Sequence, residues 1–214
     1  MAPTLEVPPT TTEPTIFIVD DDPAFAGSIS ALIASMGLPS KSFLSAEAFL
    51  EQFDPLAAGC MILDIRMPQT SGLAFQEQLS KLPLHPAVII MTGYAEVPTA
   101  LRAMRQGAVD FLQKTAAEDD IRESIQRAIA HDAETRAAYF RKESLGRRLA
   151  QLTPPEREVL DQVLHGEANK IIAANLGVSR RTVEDRRSRV MQKLGVETLA
   201  DLVRVSIEAG VYSA

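Results

Sequence analysis

Short apolar runs alternate with amphipathic stretches through the first half of the chain. The apolar runs, which we predict to be strands, lie at residues 16–19, 40–43, 60–63, 87–91 and 109–112. The stretches with helical spacing lie between them, at residues 23–36, 46–52, 73–82 and 97–105. Strands without polar alternation are buried on both faces, so the pattern predicts a doubly wound, five-stranded parallel sheet covered by helices on each side.

A long helix is predicted next, because residues 118–145 hold no Gly or Pro and their apolar residues recur at helical spacing. Its first half is expected to cover the sheet. Its second half is mixed in charge, and it either bridges two domains or pairs with a second subunit. We expect Gly146 to end this helix.

The remaining residues predict an all-α domain of four helices. Residues 153–156 form a capping box with proline at the first helical position, so a new helix begins there. The breaks between the four helices fall at Gly166, Gly177 and Gly195. The turn at residues 176–179 joins the second and third helices tightly, with Ser179 as a helix cap, which is typical of a helix-turn-helix.

The chain is therefore predicted to contain four segments. Residues 1–14, rich in proline and threonine, form a disordered leader. Residues 15–125 form the α/β domain, residues 126–150 a long helical linker, and residues 151–214 the helix-turn-helix domain.

Composition narrows the possible functions. The chain has 214 residues, 46% of them hydrophobic, which is enough for two small domains with real cores. No apolar run approaches the roughly 20 residues of a membrane span, and no signal sequence opens the chain. We expect a cytoplasmic protein without a membrane partner. Cys60 is expected to be a core thiol, and the scattered histidines His85, His131 and His165 do not have the spacing of a zinc site.

Charge is distributed unevenly along the chain. Residues 1–146 carry 11 Lys/Arg against 19 Asp/Glu, a net charge of −8, whereas residues 147–214 carry 11 against 9, a net charge of +2. Six basic and two acidic residues lie within residues 180–193, a net charge of +4. This segment is predicted to bind an anionic partner.

Polar residues follow four of the five predicted strands. They are Asp20, Asp21 and Asp22 after the first strand, Asp64 after the third, Thr92 after the fourth and Lys114 after the fifth. In a parallel sheet these residues converge on one edge. Clustered carboxylates require a cation, and oxygen ligands suit Mg²⁺. A carboxylate beside Mg²⁺ can attack phosphorus while a lysine and a hydroxyl bind the transferred oxygens, so we interpret the cluster as a phosphoryl-acceptor site. Asp22, which precedes Pro23, is also a predicted helix cap.

The third helix of the C-terminal domain combines a buried stripe with a basic face. Val183, Val190 and Leu194 share one side, which leaves a polar side suited to the major groove of DNA. The residues predicted to contact DNA are Arg180, Arg181, Thr182, Glu184, Asp185, Arg186, Ser188, Arg189 and Lys193. Thr182, Arg189 and Lys193 suit phosphate contacts, whereas Glu184, Asp185 and Ser188 are best placed for base edges. An acidic side chain is tolerated there only if it accepts from a cytosine amino group or orients a neighbouring arginine.

Residues 15–125 resemble the flavodoxin-like receiver domain of two-component response regulators. The motifs that carry this resemblance are Val19-Asp20-Asp21-Asp22, residues 63–72, Met91-Thr92-Gly93-Tyr94 and Asp110-Phe111-Leu112-Gln113-Lys114. The resemblance implies that a sensor histidine kinase phosphorylates Asp64. It implies a Mg²⁺ site formed by Asp20, Asp21, Asp64 and the main-chain carbonyl of Arg66. It further implies that Thr92 and Phe111 form a switch pair and that Lys114 binds the phosphoryl group.

One position departs from the receiver pattern. The family usually has a proline in a cis peptide after the lysine, and this chain has Thr115. A cis bond before a non-proline residue costs roughly 2.5 to 4 kcal/mol, so we expect a trans bond here and a differently aimed Lys114.

Residues 152–194 resemble the LuxR-type domain of FixJ/NarL regulators. The motifs include Glu156-Arg157-Glu158-Val159-Leu160, Asn169-Lys170-Ile171-Ile172-Ala173 and Thr182-Val183-Glu184. Arg186 and Arg189 occupy positions where such domains usually have histidine and asparagine, which makes the predicted DNA face more basic. The combined resemblance implies a regulator that binds promoter DNA as a homodimer when it is phosphorylated, with RNA polymerase as a further partner.

Two alternatives remain open at this point. The Asp-x-Asp after the first strand also fits a haloacid-dehalogenase-like phosphatase, although that interpretation leaves Asp64 and the DNA-binding domain without a role. The second alternative is a DNA-binding regulator whose receiver domain is never phosphorylated, which Thr115 keeps open. A regulator of either kind is not an enzyme.

Overall fold

The structure is a computed structural model that describes residues 13–210. Two compact units divide this part of the chain, at residues 13–138 and 139–210. The predicted leader therefore lies almost wholly outside the described residues. Within residues 13–210, no helix combines the length and the apolar character needed to cross a membrane.

The secondary structure follows the predicted order. The strands are β1 (Thr15–Val19), β2 (Ser40–Phe43), β3 (Gly59–Asp64), β4 (Ala87–Thr92) and β5 (Asp110–Gln113). The helices of the first unit are α1 (Pro23–Ser35), α2 (Ala46–Gln52), α3 (Gly72–Leu79) and α4 (Val97–Arg105), followed by α5 (Glu118–Ala150). The C-terminal helices are α6 (Pro154–Leu164), α7 (Asn169–Leu176), α8 (Arg180–Leu194) and α9 (Leu199–Glu208).

The sheet is parallel throughout, with the strand order β2-β1-β3-β4-β5, which confirms the predicted doubly wound fold. β3 and β4 are buried along their whole length because helices cover both faces. The strand order reverses beside β1, between β1 and β3. The edge beyond the carboxyl ends of these strands is therefore where a ligand site is expected.

Alternate residues of each strand enter two separate cores. Ile18, Ile62 and Met91 point towards α1 and α5 and pack with the buried residues of those helices. Their neighbours Leu63 and Ile90 point to the opposite face, where α2, α3 and α4 pack. This alternation fixes which side of the sheet each residue occupies.

The prediction that Gly146 ends the long helix is wrong, since α5 continues to Ala150. Gly146 does not adopt a positive φ, so it is an ordinary helical residue. A glycine inside a helix costs only about 1 kcal/mol relative to alanine. Leu145 is buried, and Leu149, one helical turn later, packs against the apolar core of the C-terminal unit. Packing of this face outweighs the low helix propensity of one glycine.

The C-terminal unit has its own core, formed by the inward faces of α6, α7, α8 and α9. Val183, Val190 and Leu194 are buried in it, as the sequence predicted for the third helix of this domain. Gly177 ends α7 with a φ of 65°, in the left-handed conformation that the tight turn needs. Ser179 then caps α8 by accepting a hydrogen bond from the N–H of Thr182.

A buried ion pair ties α5 to the loop before β3. Asp132 accepts hydrogen bonds from the N–H of Gly59 at 2.9 Å and from Nε of Arg136 at 2.8 Å. Nη1 of Arg136 also donates to the carbonyl of Pro55 at 2.8 Å. Burial raises the pKa of Asp132, although the N–H of Gly59 and the guanidinium of Arg136 act in the opposite direction. The pair therefore holds the first half of α5 in one position against the sheet.

We predict that Arg136→Met lowers the free energy of unfolding by about 3–5 kcal/mol, because Asp132 is then left buried without its cation. The double variant Arg136→Met, Asp132→Leu is expected to recover most of this loss, since apolar residues can replace a buried pair. Urea unfolding of the full chain, followed by circular dichroism, measures both. A single variant as stable as the wild type would contradict this role of the pair.

Candidate functional site

The polar residues that were predicted to form a phosphoryl-acceptor site meet at the carboxyl edge of the sheet. Asp64 is the last residue of β3 and Thr92 the last of β4, and both side chains are buried. Asp20 follows β1 directly and is also buried. Lys114 follows β5, and its side chain is 19% exposed. The fold therefore brings four segments that are distant in sequence to one place.

The backbone holds one oxygen of each buried carboxylate. The N–H of Asp22 donates to Oδ1 of Asp20 at 2.9 Å, and the N–H of Ile65 donates to Oδ1 of Asp64 at 2.8 Å. The other oxygen of each lies near Lys114, whose Nζ is 2.6 Å from Oδ2 of Asp20 and 3.3 Å from Oδ2 of Asp64. One ammonium thus bridges two carboxylates.

The positive charge of Lys114 does not fully compensate the two buried carboxylates of Asp20 and Asp64. Burial raises the pKa of Asp20, and the charge of Asp64 adds to this rise, although Lys114 and the N–H of Asp22 oppose it. Burial disfavours the ammonium of Lys114, but its hydrogen bonds with the two carboxylates and their charges outweigh that effect and raise its pKa. A single lysine does not offset the cost of placing these carboxylates together.

The acidic residues fit a divalent cation. Carboxylate oxygens of Asp20, Asp21 and Asp64 lie within 4.8 Å of one another, and Asp21 is exposed to solvent. Three carboxylates against the ammonium of Lys114 leave an excess of negative charge. Mg²⁺ prefers oxygen ligands and commonly keeps several waters, which suits a site with one open side.

The loop after β3 is packed tightly against Asp64. The N–H of Gly72 donates to the carbonyl of Ile65 at 2.9 Å. A Cβ atom at Gly72 would lie 2.0 Å from the carbonyl oxygen of Asp64, so only glycine permits this approach. Arg66 lies within this loop, and the assignment of its carbonyl as a metal ligand stays a prediction.

The two predicted switch residues lie on neighbouring strands. Oγ1 of Thr92 accepts from the N–H of Tyr94 at 3.3 Å, which links the end of β4 to the loop that follows. Phe111 is half-buried in β5 and packs against the core on the α2, α3 and α4 side. Their role as a coupled pair stays a prediction.

The structure shows two contacts between a basic and an aromatic side chain at this edge that the sequence analysis did not predict. The Nζ of Lys114 lies 4.5 Å from the ring centroid of Phe25, in the first turn of α1. The Cζ of Arg66 lies 5.1 Å from the ring centroid of Tyr94, which is 60% exposed. Each contact joins distant segments, so spacing along the chain does not reveal it.

The peptide bond between Lys114 and Thr115 is trans, as expected, since the described residues contain no cis peptide bond. The expectation that Lys114 is aimed differently from the family's lysine stays a prediction. The ammonium of Lys114 contacts both buried carboxylates.

The predicted DNA-contacting residues of α8 differ in exposure and in partners. Arg180, Arg181, Glu184, Asp185, Ser188 and Arg189 are exposed, whereas Thr182, Arg186 and Lys193 are half-buried. Nε of Arg180 donates to Oε1 of Glu184 at 2.9 Å, one helical turn away. This contact matches the alternative in which the acidic residue orients an arginine.

Lys193 has a partner inside the domain. Its Nζ lies 2.6 Å from Oε2 of Glu156 and 3.1 Å from the carbonyl of Gln151. Burial opposes ionisation of Glu156, but hydrogen bonds from Lys193 and Thr153 outweigh burial and lower its pKa. Moving Lys193 to a DNA phosphate would leave Glu156 buried without its cation. The contact favours a structural role for Lys193, and its predicted phosphate contact is untested.

Comparison with known proteins gives two family matches. Residues 16–126 match the family described as response regulator receiver domain. Residues 150–206 match the family described as bacterial regulatory proteins, luxR family. The acidic site lies within the first match, and α8 lies within the second.

Relatives cover nearly the whole chain. The transcriptional regulatory protein FixJ of Azorhizobium caulinodans is 40% identical over 199 residues, which is 93% of this chain and 94% of that protein. The structure of the response regulator StyR is 36% identical, with a TM-score of 0.82, and the match covers 92% of this chain and 99% of StyR. Full-length FixJ from B. japonicum is 35% identical, with a TM-score of 0.55, over 95% of this chain and all of that one.

Proposed function

This chain belongs to the response regulators that join a receiver domain to a LuxR-type DNA-binding domain, and we propose that its phosphoryl acceptor is Asp64. Such a protein regulates transcription in response to phosphorylation. The observation that carries the proposal is the position of Asp64 at the end of β3, beside two further aspartates and 3.3 Å from Nζ of Lys114.

The reaction is a transfer of one phosphoryl group. A carboxylate oxygen of Asp64 attacks phosphorus, and a new O–P bond forms as the bond between phosphorus and the donor breaks. The electron pair of that bond leaves with the donor, which is a phosphohistidine of a sensor kinase in the proposed system. Lys114 is positioned to bind a transferred oxygen. Mg²⁺ held by Asp20, Asp21, Asp64 and the carbonyl of Arg66 would neutralise negative charge on the phosphoryl group.

We further propose that phosphorylation favours a homodimer through α4 and β5. Three apolar side chains of α4, Val97, Leu101 and Met104, recur at helical spacing and are 74%, 52% and 45% exposed. An exposed apolar stripe on a surface helix favours association with another protein surface. Thr92 and Phe111 would connect the phosphorylation site to this face.

The C-terminal unit is proposed to bind promoter DNA through α8. Arg181, Arg186 and Arg189 supply positive charge towards phosphates, with Thr182 as a further phosphate contact, whereas Arg180 is proposed to contact a base edge. Glu184, Asp185 and Ser188 lie on the exposed face where base edges are read. Glu184 acts by orienting Arg180, to which it is hydrogen-bonded. We also propose that the protein acts in the cytoplasm and that RNA polymerase is a further partner.

The two alternatives give different results with a small phosphodonor. A phosphatase turns over many equivalents of phosphate, and an inert receiver forms no adduct. The trans bond at Thr115 kept the inert alternative open, but the lysine before it contacts Asp64. We therefore propose a regulator that accepts one phosphoryl group and is not an enzyme acting on phosphate esters.

Incubation with acetyl phosphate and Mg²⁺ is expected to add one phosphoryl group to the wild type and none to Asp64→Asn, because the amide lacks the nucleophilic oxygen. Intact-protein mass spectrometry measures the adduct. Asp54→Asn, which alters an exposed aspartate outside the acidic cluster, is the matched control and is expected to keep the adduct. An adduct of the same extent in Asp64→Asn would refute the assignment of the acceptor.

We predict different effects for two exposed residues of α8. Arg189→Ala is expected to weaken binding to specific and scrambled DNA alike and to lower the salt slope by about one unit, because a phosphate contact is lost. Glu184→Ala is expected to leave affinity for scrambled DNA equal or higher and to cost about 1–3 kcal/mol of discrimination at one base position, since Arg180 loses its orientation.

Fluorescence anisotropy over a salt series measures both quantities, with a duplex selected from a random pool by the protein and a scrambled version of it. Equal weakening of both duplexes by Glu184→Ala would show that its role is structural.

A further inference from the structure

The ring of Phe25 lies against the ammonium of Lys114 at the acidic edge of the sheet. The Nζ atom lies over the ring, 4.5 Å from its centroid. A cation this close to a ring face is attracted by the negative charge of the π system. Phe25 is partly buried and packs against the core on the α1 and α5 face. Packing against this core therefore fixes the ring on one side, while the ring contacts the ammonium of Lys114.

The contacts around Lys114 form a closed cycle. Nζ of Lys114 bonds to Oδ2 of Asp20 at 2.6 Å, and Oδ1 of Asp20 accepts from the N–H of Asp22 at 2.9 Å. Asp22 caps α1 by accepting from the N–H of Ala24 at 2.9 Å and of Phe25 at 3.2 Å. The cap fixes the first turn of α1 and, with it, the ring that lies beneath the ammonium. The first turn of α1 therefore contacts the ammonium directly through the ring of Phe25, and indirectly through Asp22 and Asp20.

Because the side chain of Lys114 is flexible, the position of its ammonium depends on the carboxylates and the aromatic ring that it contacts. Lys114 precedes Thr115 through a trans peptide bond, and its side chain is a flexible four-carbon stem. Asp20 and Asp64 both attract the ammonium, at 2.6 and 3.3 Å. A ring face attracts a cation without requiring a particular N–H direction, so the ammonium can exchange one oxygen for another while it stays over the ring.

We propose that Phe25 is a positioning residue for phosphoryl acceptance, because its ring holds the ammonium of Lys114 beside Asp64. The inference rests on the proposed function of Asp64 as the acceptor. Phe25 does not touch the reacting atoms, and it acts only through Lys114. The structure assigns it the task of keeping the lysine available to a transferred phosphoryl oxygen.

The test compares initial rates of adduct formation with acetyl phosphate and Mg²⁺, which requires no kinase. Phe25→Leu keeps an apolar side chain but removes the ring, and we expect a rate about fivefold lower, the effect of a cation–π contact of ordinary strength. Phe25→Tyr keeps the ring and is expected to restore most of the wild-type rate. Phe53→Leu is the matched control, since Phe53 is a partly buried ring of the opposite core that stacks on Phe49.

A double-mutant cycle separates positioning from a structural effect. In a Lys114→Gln background there is no ammonium to hold, so Phe25→Leu is expected to cause no further loss. A structural effect of the same substitution would lower the rate equally in both backgrounds. If Phe25→Leu does not fold, as shown by its thermal melt, Phe25→Met removes the ring in the same comparison.

A second readout needs neither phosphodonor nor metal. The methylene protons next to Nζ of Lys114 lie near the ring, so their NMR signals are expected at higher field in the wild type and Phe25→Tyr than in Phe25→Leu. Phe53→Leu is expected to leave them unchanged. Signals that stay at the wild-type position in Phe25→Leu, a wild-type rate for that variant, or an equal loss in both backgrounds would overturn the proposal. Failure of the wild type itself to form an adduct would instead refute the proposed function of Asp64.

Discussion

The concentration of carboxylates at the carboxyl edge of the sheet is the constraint on which the rest of the account depends. Asp20 and Asp64 are buried, and Asp21 lies beside them, with Lys114 as their cation in the structure. Burial of like charges is unfavourable, and the raised pKa of Asp20 expresses that cost. In the proposed function, a divalent cation and a phosphoryl group would both act on this imbalance, the first by adding positive charge and the second by drawing the lysine towards Asp64. The geometry is therefore poised to respond to a change in charge.

The sequence was sufficient to predict the fold and the members of the acidic site. Strands such as β3 and β4 are buried on both faces, so they appear as continuous apolar runs with polar residues directly after them. The carboxyl ends of parallel strands lie at the same edge of a sheet. The topology alone therefore predicts that Asp64 and Lys114 lie close together. The predicted bounds of some elements differ from those in the structure. β5 lies at Asp110–Gln113, one residue later than predicted, and α3 ends at Leu79, three residues earlier.

Contacts between distant segments could not be predicted from the sequence. The ring of Phe25 beneath Lys114 joins α1 to the loop after β5, and no spacing rule relates the two. The pairing of Lys193 with Glu156 is of the same kind, since it joins a half-buried basic residue of α8 to the first turn of α6. The continuation of α5 past Gly146 likewise depends on packing partners that only the folded domain supplies. Sequence patterns identify residue types and faces, whereas partners require the three-dimensional structure.

The central claim is that a phosphoryl group on Asp64 controls DNA binding by the C-terminal unit. A complete switch from 1:99 to 99:1 requires roughly 5.5 kcal/mol of bias, so even a partial switch is easily measured. The most direct measurement is the dissociation constant for a self-selected duplex before and after treatment with acetyl phosphate, with the adduct quantified by mass spectrometry. We predict at least about tenfold tighter binding of the phosphorylated chain, equivalent to about 1.4 kcal/mol, and no change for Asp64→Asn. Equal dissociation constants for fully phosphorylated and unmodified protein would contradict the account.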